Sequence, residues 1–242
     1  IAVVNELRRV LALPATDPPL EVDADLRPEG KQGPLVRTLE SYAAYYAKWS
    51  QTWEFQALLR ADAVVGDQEL RDRFHELIDP LRFPAGGIDE DAVIEVRRIK
   101  ARVEDERLPR GADPNTHLKL GRGGLADVEW TVQLLQMQHA GAVPALRTTS
   151  TLDALAAAKE AGLLEAEYAD VLCEAWRFVS RVRNASTLVR GRSSDQLPTA
   201  TRERAAVSMV LGYEAGESDK LLNDYLRTTR HAHAVVERVF WG

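Results

Sequence analysis

A single cysteine, Cys173, stands in 242 residues, so no internal disulfide can form and a reducing compartment is expected. No run of about 18 apolar residues occurs, which excludes an ordinary membrane-spanning helix. No signal-peptide pattern, low-complexity tract or internal repeat is visible. An excess of positive charge is also lacking. Thirty-one basic side chains face thirty-seven acidic ones, a net charge of −6, which disfavours a general nucleic-acid binder. Histidines are few and scattered. His75, His117 and His139 are isolated, and His231 and His233 diverge on a helix, so none pairs for a metal. The chain opens Ile-Ala-Val-Val without methionine and is expected to be a fragment or a processed product. What is present suffices for a sizeable core: 45% hydrophobic and 28% charged residues, over a length of one large or two small domains.

Residues 20–36 read LEVDADLRPEGKQGPLV. Val22, Ala24 and Leu26 alternate with Asp23, Asp25 and Arg27, the pattern of a strand with one apolar and one charged face. Pro28, Gly30, Gly33 and Pro34 then force a loop. A carboxylate pair at such a place suits Mg²⁺, which takes hard oxygen ligands. An edge strand with a solvated charged face has the same pattern.

The rest reads mainly as helix. Residues 1–13 carry Val4, Leu7, Val10 and Leu11 at helical spacing. A second helix is predicted from Thr38 or Leu39 to about Trp49, and Ser50 is a candidate cap for a third. Residues 61–65 are predicted as a short strand, and Asp67 as the N-cap of a helix reaching about Phe83. Pro84-Ala85-Gly86-Gly87 is the clearest break, which sets expected domains of 1–87 and 88–242. Beyond it, Ala92, Val96, Ile99 and Val103 form a stripe, with Arg97, Arg98, Lys100 and Arg102 around it. Further helices are predicted over 125–140, 151–161 with Ser150 as cap, 165–190, 200–211 and 218–241, which together make a helical bundle. Cys173 and the five tryptophans are expected in the core.

Lys119-Leu120-Gly121-Arg122-Gly123-Gly124 precedes a predicted helix. Free N–H groups and the helix dipole make such a turn an anion site, and a tight turn packing two helices fits the pattern as well. A dinucleotide fold is excluded, because no second strand or later acidic residue completes a βαβ unit. In the following helix Glu129, Gln133 and Gln136 form a polar stripe, with Asp127 off it. That stripe is expected to face a cleft or to pack on Lys119 and Arg122.

Two long motifs carry a family resemblance. V-D-A-D-L-R-P-E-G with G-P-L-V and T-W-E-F-Q-A-L-L-R, and then H-L-K-L-G-R-G-G-L-A-D-V-E-W over 117–130, resemble the C-terminal half of bacterial glutamine synthetase adenylyltransferases. The resemblance runs from about Leu20 to the end. It implies a mainly α chain, the end of a DNA polymerase β-like nucleotidyltransferase α/β fold (1–87) followed by an all-α helical bundle (88–242). It implies transfer of AMP from ATP to a tyrosine of glutamine synthetase, with Mg²⁺, under control of PII signalling protein and glutamine, in the cytoplasm. Neither a membrane nor a nucleic-acid partner is implied. Asp23 matches the third carboxylate of the family's metal triad, which makes it the catalytic and metal-binding candidate. Arg27, Lys119, Arg122, Gly123, Gly124 and Glu129 are the nucleotide-binding candidates by the same resemblance.

The first two carboxylates of that triad lie on a Gly-Ser…Asp-x-Asp motif that this chain lacks. Gly216-Glu217-Ser218-Asp219 imitates part of it at a helix start, where a cap is the simpler role. Asp25 stands where the family more often has a basic residue. The fragment alone is therefore expected to be inactive. A catalytically silent regulatory or docking module is the alternative reading.

Overall fold

The structure, a computed structural model, describes residues 1–14 and 22–242. The chain divides into two compact units, Ile1–Arg82 and Phe83–Gly242. Among the described residues there is no strand, and the only bridge pairs His117 with Gln196.

The first unit holds helices α1 (Ala2–Leu11), α2 (Leu39–Lys48), α3 (Thr52–Leu58) and α4 (Gln68–Arg82). Thr38 caps α2 by accepting the Ser41 N–H at 3.2 Å, and Asp67 accepts the Leu70 N–H at the start of α4. Ser50 does not cap α3. Its hydroxyl donates back to the Tyr46 carbonyl, and Gln51 takes the N-cap place, its N–H held by buried Glu54. Tyr46, Leu58 and Ile78 form a small core, wrapped by Tyr42, Phe55, Phe74 and Leu77. Arg82 closes it by donating to the carbonyls of Leu58 (3.0 Å) and Ala61 (2.7 Å). Trp49 and Trp53, expected in the core, are exposed, while Trp130, Trp176 and Trp241 of the second unit are half-buried.

Both predicted strands fail where the structure describes them. Residues 20 and 21 of the first lie outside the described residues. Residues 22–27 have no strand geometry and turn at Asp25–Leu26. A strand needs a ladder partner. Here Asp23 instead accepts the Asp25 N–H at 2.8 Å, a local turn that competes with extension. Residues 61–65 form a loop tied to α4 through Ala61, and through Ala63, whose N–H donates to His75.

The second unit is a helical bundle. Its helices are α5 (Glu90–Arg107), α6 (Leu125–His139), α7 (Thr151–Glu160), α8 (Ala166–Arg190), α9 (Thr201–Val210) and α10 (Ser218–Val236), the last running into a π-turn, Glu237–Trp241. Helix α8 is the mast, packed by α6, α7, α9 and α10. Leu172, Ala175, Val179, Val182 and Ser186 are all buried along it at three- and four-residue steps. Gly191, at φ +65°, then ends it in the left-handed C-terminal geometry that suits glycine. Leu118, Leu125, Val179, Val182, Val207, Leu221 and Tyr225 close one core. Cys173 is half-buried rather than buried, and burial pushes its thiol pKa up. Asp89 caps α5 and Ser150 caps α7.

Residues 84–88, the expected break, belong to this unit. A Cβ on Gly87 (φ +73°) would lie 2.2 Å from the Gln138 carbonyl oxygen, and the Ile88 N–H bonds to the Met137 carbonyl. Phe83 is 6% exposed, under the Arg147 guanidinium.

A protein spanning Phe83–Gly242 should therefore give a strongly helical circular dichroism spectrum and a cooperative melt. One starting at Ile88 forfeits the buried Phe83, about 2 kcal/mol, and should melt roughly 4–8 °C lower. Equal melting temperatures would show that the 83–87 segment adds nothing.

Candidate functional site

The Gly-rich segment forms a tight turn into α6. A Cβ on Gly123 would lie 1.8 Å from the Thr229 carbonyl oxygen of α10, so only glycine lets the turn lie against that helix. Its φ of +68° asks for glycine too. Every N–H from Leu120 to Ala126 is used inside the protein. Leu120 donates to His117 Nδ1, Gly121 to the His117 carbonyl, and Arg122 to the Pro114 carbonyl. Gly123 donates to Asp127, Gly124 to the Gly121 carbonyl, and Leu125 and Ala126 to the carbonyls of Leu118 and Lys119. The glycines thus offer no free backbone donor, and only the exposed side chains of Lys119 and Arg122 point outward from the turn.

The strongest polar cluster was not among the sequence candidates. Lys100 on α5, expected beside the apolar stripe, is 2% exposed. It donates to Asp127 at 2.6 Å, pairs with Glu104, and lies over the rings of Phe240 and Trp241. Asp127, also buried, takes the Gly123 N–H at 2.7 Å on its other oxygen. His233 Nδ1 stands 3.5 Å from that oxygen, an ion-pair distance rather than a well-formed hydrogen bond. Burial alone would raise the Asp127 carboxyl pKa, but His233, Lys100 and the Gly123 N–H together hold it below the ordinary range. Asp127, and less strongly Glu237, raises the His233 pKa against burial and against Arg122. Burial raises that of Glu104 in spite of Lys100. An acidic residue in the first turn of α6, off the polar stripe of that helix, was the one local sign of this cluster.

The Glu129–Gln133–Gln136 stripe divides. Glu129 is half-buried, whereas Gln136 is buried and donates to the carbonyls of Leu146 and Thr148. His117, buried with its pKa lowered, is a structural residue of the loop. Arg122 and His233 line one cleft of about 490 Å³.

In the first unit Asp23 is exposed, one oxygen engaged in the Asp25 turn. Arg27 does not pair with it. The guanidinium donates to the carbonyls of Ala24 (2.5 Å), Gly33 (3.1 Å) and Lys31 (3.3 Å), holding the loop together. Asp25, not Asp23, has the ion pairs here, with Lys31 at 3.2 Å and with Arg27 at 4.0 Å. Among the described residues no group of three or more His, Cys, Asp or Glu side chains is placed to hold a metal ion. Asp23 and Arg27 thus lie in one unit, and Lys119, Arg122, Gly123, Gly124 and Glu129 in the other.

A family model described as Glutamate-ammonia ligase adenylyltransferase matches residues 1–77, and one described as GlnD PII-uridylyltransferase matches residues 97–240. The chain is 63% identical over 241 residues to a bifunctional glutamine synthetase adenylyltransferase/adenylyl-removing enzyme of Streptomyces avermitilis, covering 100% of this chain and 24% of that protein. Similar relatives occur in Streptomyces coelicolor, at 60% identity over 99% of the chain, and in Mycobacterium avium, at 59% over 99%. In each case the chain spans 24% of the relative's length.

Asp127→Asn should strand the buried Lys100 charge. Breaking a buried pair costs 3–5 kcal/mol, and with Glu104 still beside Lys100 we expect about 3 kcal/mol. The His233 pKa should fall as well, read by NMR titration. The sign follows from the raised folded value. The His233 contribution is full below its unfolded pKa of about 6.5 and lost as pH rises through the folded one. Asp127, lowered, contributes above its unfolded value and loses this as pH falls through the folded one. An unchanged melting temperature and His233 titration in Asp127→Asn would dismiss the cluster.

Proposed function

The chain belongs to the family of bifunctional glutamine synthetase adenylyltransferase/adenylyl-removing enzymes, with residues 97–240 in the GlnD PII-uridylyltransferase family, and on that premise we propose that it serves in protein adenylylation. In the longer protein the tyrosine oxygen of glutamine synthetase would attack the α-phosphorus of ATP. The bond to pyrophosphate would break, and the tyrosyl proton would leave to solvent or a base. The observation that carries this reading is identity near 60% across essentially the whole chain, to relatives that bear that name. Regulation by PII and glutamine, and a cytoplasmic setting, belong to the same proposal. No helix of the described residues is long and apolar enough to cross a membrane.

Within this reading Asp23 is the residue of the chain that would hold Mg²⁺. The fit is partial. Magnesium is usually bound through one or two carboxylates together with water and substrate phosphates, and one exposed carboxylate meets that need in part. The metal would neutralise charge on the phosphates. Arg27 acts by keeping the loop that presents Asp23 in shape, and Lys119 and Arg122 are the cations available to phosphate. The Gly123 and Gly124 backbone serves packing. By itself the chain, with one such carboxylate, would be a catalytically silent part.

The test is made in the longer protein. Asp23→Asn removes a charge at little cost to stability, since the side chain is exposed. Misplacing a metal forfeits several kcal/mol of transition-state stabilisation, so turnover should drop on the order of a hundredfold or more. Asp25→Asn, which breaks the exposed pair to Lys31 and a longer one, 4.0 Å, to Arg27, should cost much less. Initial adenylylation rates and melting temperatures decide. Near-parent turnover in Asp23→Asn, or greater damage from Asp25→Asn, would remove Asp23 from the site.

A further inference from the structure

The cleft between the 113–122 loop and α10 has a composition that packing does not explain. It measures about 490 Å³, within the range of small-molecule sites. Arg122 enters from the loop, and Arg230 and His233 enter from α10. Among the described residues neither guanidinium has a hydrogen bond or an ion pair. His233, by contrast, sits between two carboxylates, its Nδ1 3.5 Å from Asp127 and its Nε2 3.7 Å from Glu237. Leu222 and Leu226 supply an apolar wall. The one carboxylate on the cleft, Asp113, is turned to its own loop, where it accepts from the Asn115 N–H at 2.9 Å, the Asn115 side chain at 3.1 Å and the Thr116 hydroxyl at 3.3 Å.

We infer that this cleft binds a phosphate group carrying an apolar or ring-bearing body, with Arg122 and Arg230 gripping the phosphate and Leu222 and Leu226 receiving the body. Planar guanidiniums match phosphate oxygens in pairs, and two of them from different segments can grip one dianion. His233 adds a positive charge beside them when protonated, which the two carboxylates facing its ring favour. That the body is a nucleoside rests on the function proposed above. The phosphate grip stands on the cleft alone. Arg230 carries no family motif of the sequence analysis and was not a candidate there.

Calorimetric titration of the 242-residue chain tests this, with AMP, inorganic phosphate and adenosine as separate probes. AMP should bind, phosphate more weakly, and adenosine weakest of the three. Arg122→Gln and Arg230→Gln should each weaken AMP binding at least tenfold and leave the melting temperature unchanged, because neither side chain holds the fold. Arg230→Lys should recover part of the loss. Raised salt should weaken binding in the parent chain. AMP binding that is undiminished in both Gln variants, or no binding of AMP or phosphate at millimolar concentration, would overturn the inference. Loss of the cleft in this assay, with glutamine synthetase still labelled by the longer protein, would leave the proposed function standing. Arginine-dependent AMP binding without labelling would do the reverse.

Discussion

The buried contact between Lys100 and Asp127 is the constraint on which the helical unit depends. Two opposite charges removed from water are tolerated only with close geometry and further partners. Asp127 has both, with Lys100 on one oxygen and the Gly123 N–H on the other. That arrangement joins α5, the Gly-rich turn and α6, and through His233 it reaches α10. Lys100 also lies over Phe240 and Trp241, so the π-turn at the end of α10 is drawn into the same cluster. Arg97, one turn before Lys100 on α5, donates to the Phe240 carbonyl and adds a second tie to that turn.

This cluster decides what the Gly-rich turn can do. A helix N-terminus attracts anions through its free N–H groups. Here an internal carboxylate already occupies that place, and the loop's own carbonyls take the neighbouring donors. Glycine is needed at 123 because α10 lies where a side chain would be. What the turn presents to a ligand is Arg122, beside Arg230 and His233 from α10. Binding chemistry and packing are thus carried by different atoms of one short motif.

The helices were largely legible in the sequence, because caps and apolar stripes are local. Thr38, Asp67 and Ser150 each accept an N–H three residues on, and the α8 stripe follows helical period. Asp23–Arg27 was misread for the converse reason. Alternation has the same appearance whether or not a partner strand exists, and an aspartate that bonds two residues on makes a turn of it. Arg27 read as a nucleotide-binding candidate and its hold on the loop went unseen, because side chain to carbonyl bonds leave no periodic trace. Lys100 read only as one of the basic residues around the α5 stripe, since its partner lies 27 positions away on another helix. Arg230 and His233 meet Arg122 only through the packing of α10 on the turn.

Hydrogen exchange at the Gly123 amide tests the central role of Asp127 most directly. A glycine N–H in a surface turn normally exchanges fast. If Asp127 anchors the unit, this amide should open only with the bundle itself, at a free energy close to that of the slowest α8 amides. Exchange of Gly123 at the rate of an unprotected loop amide, while α8 stays protected, would contradict the account.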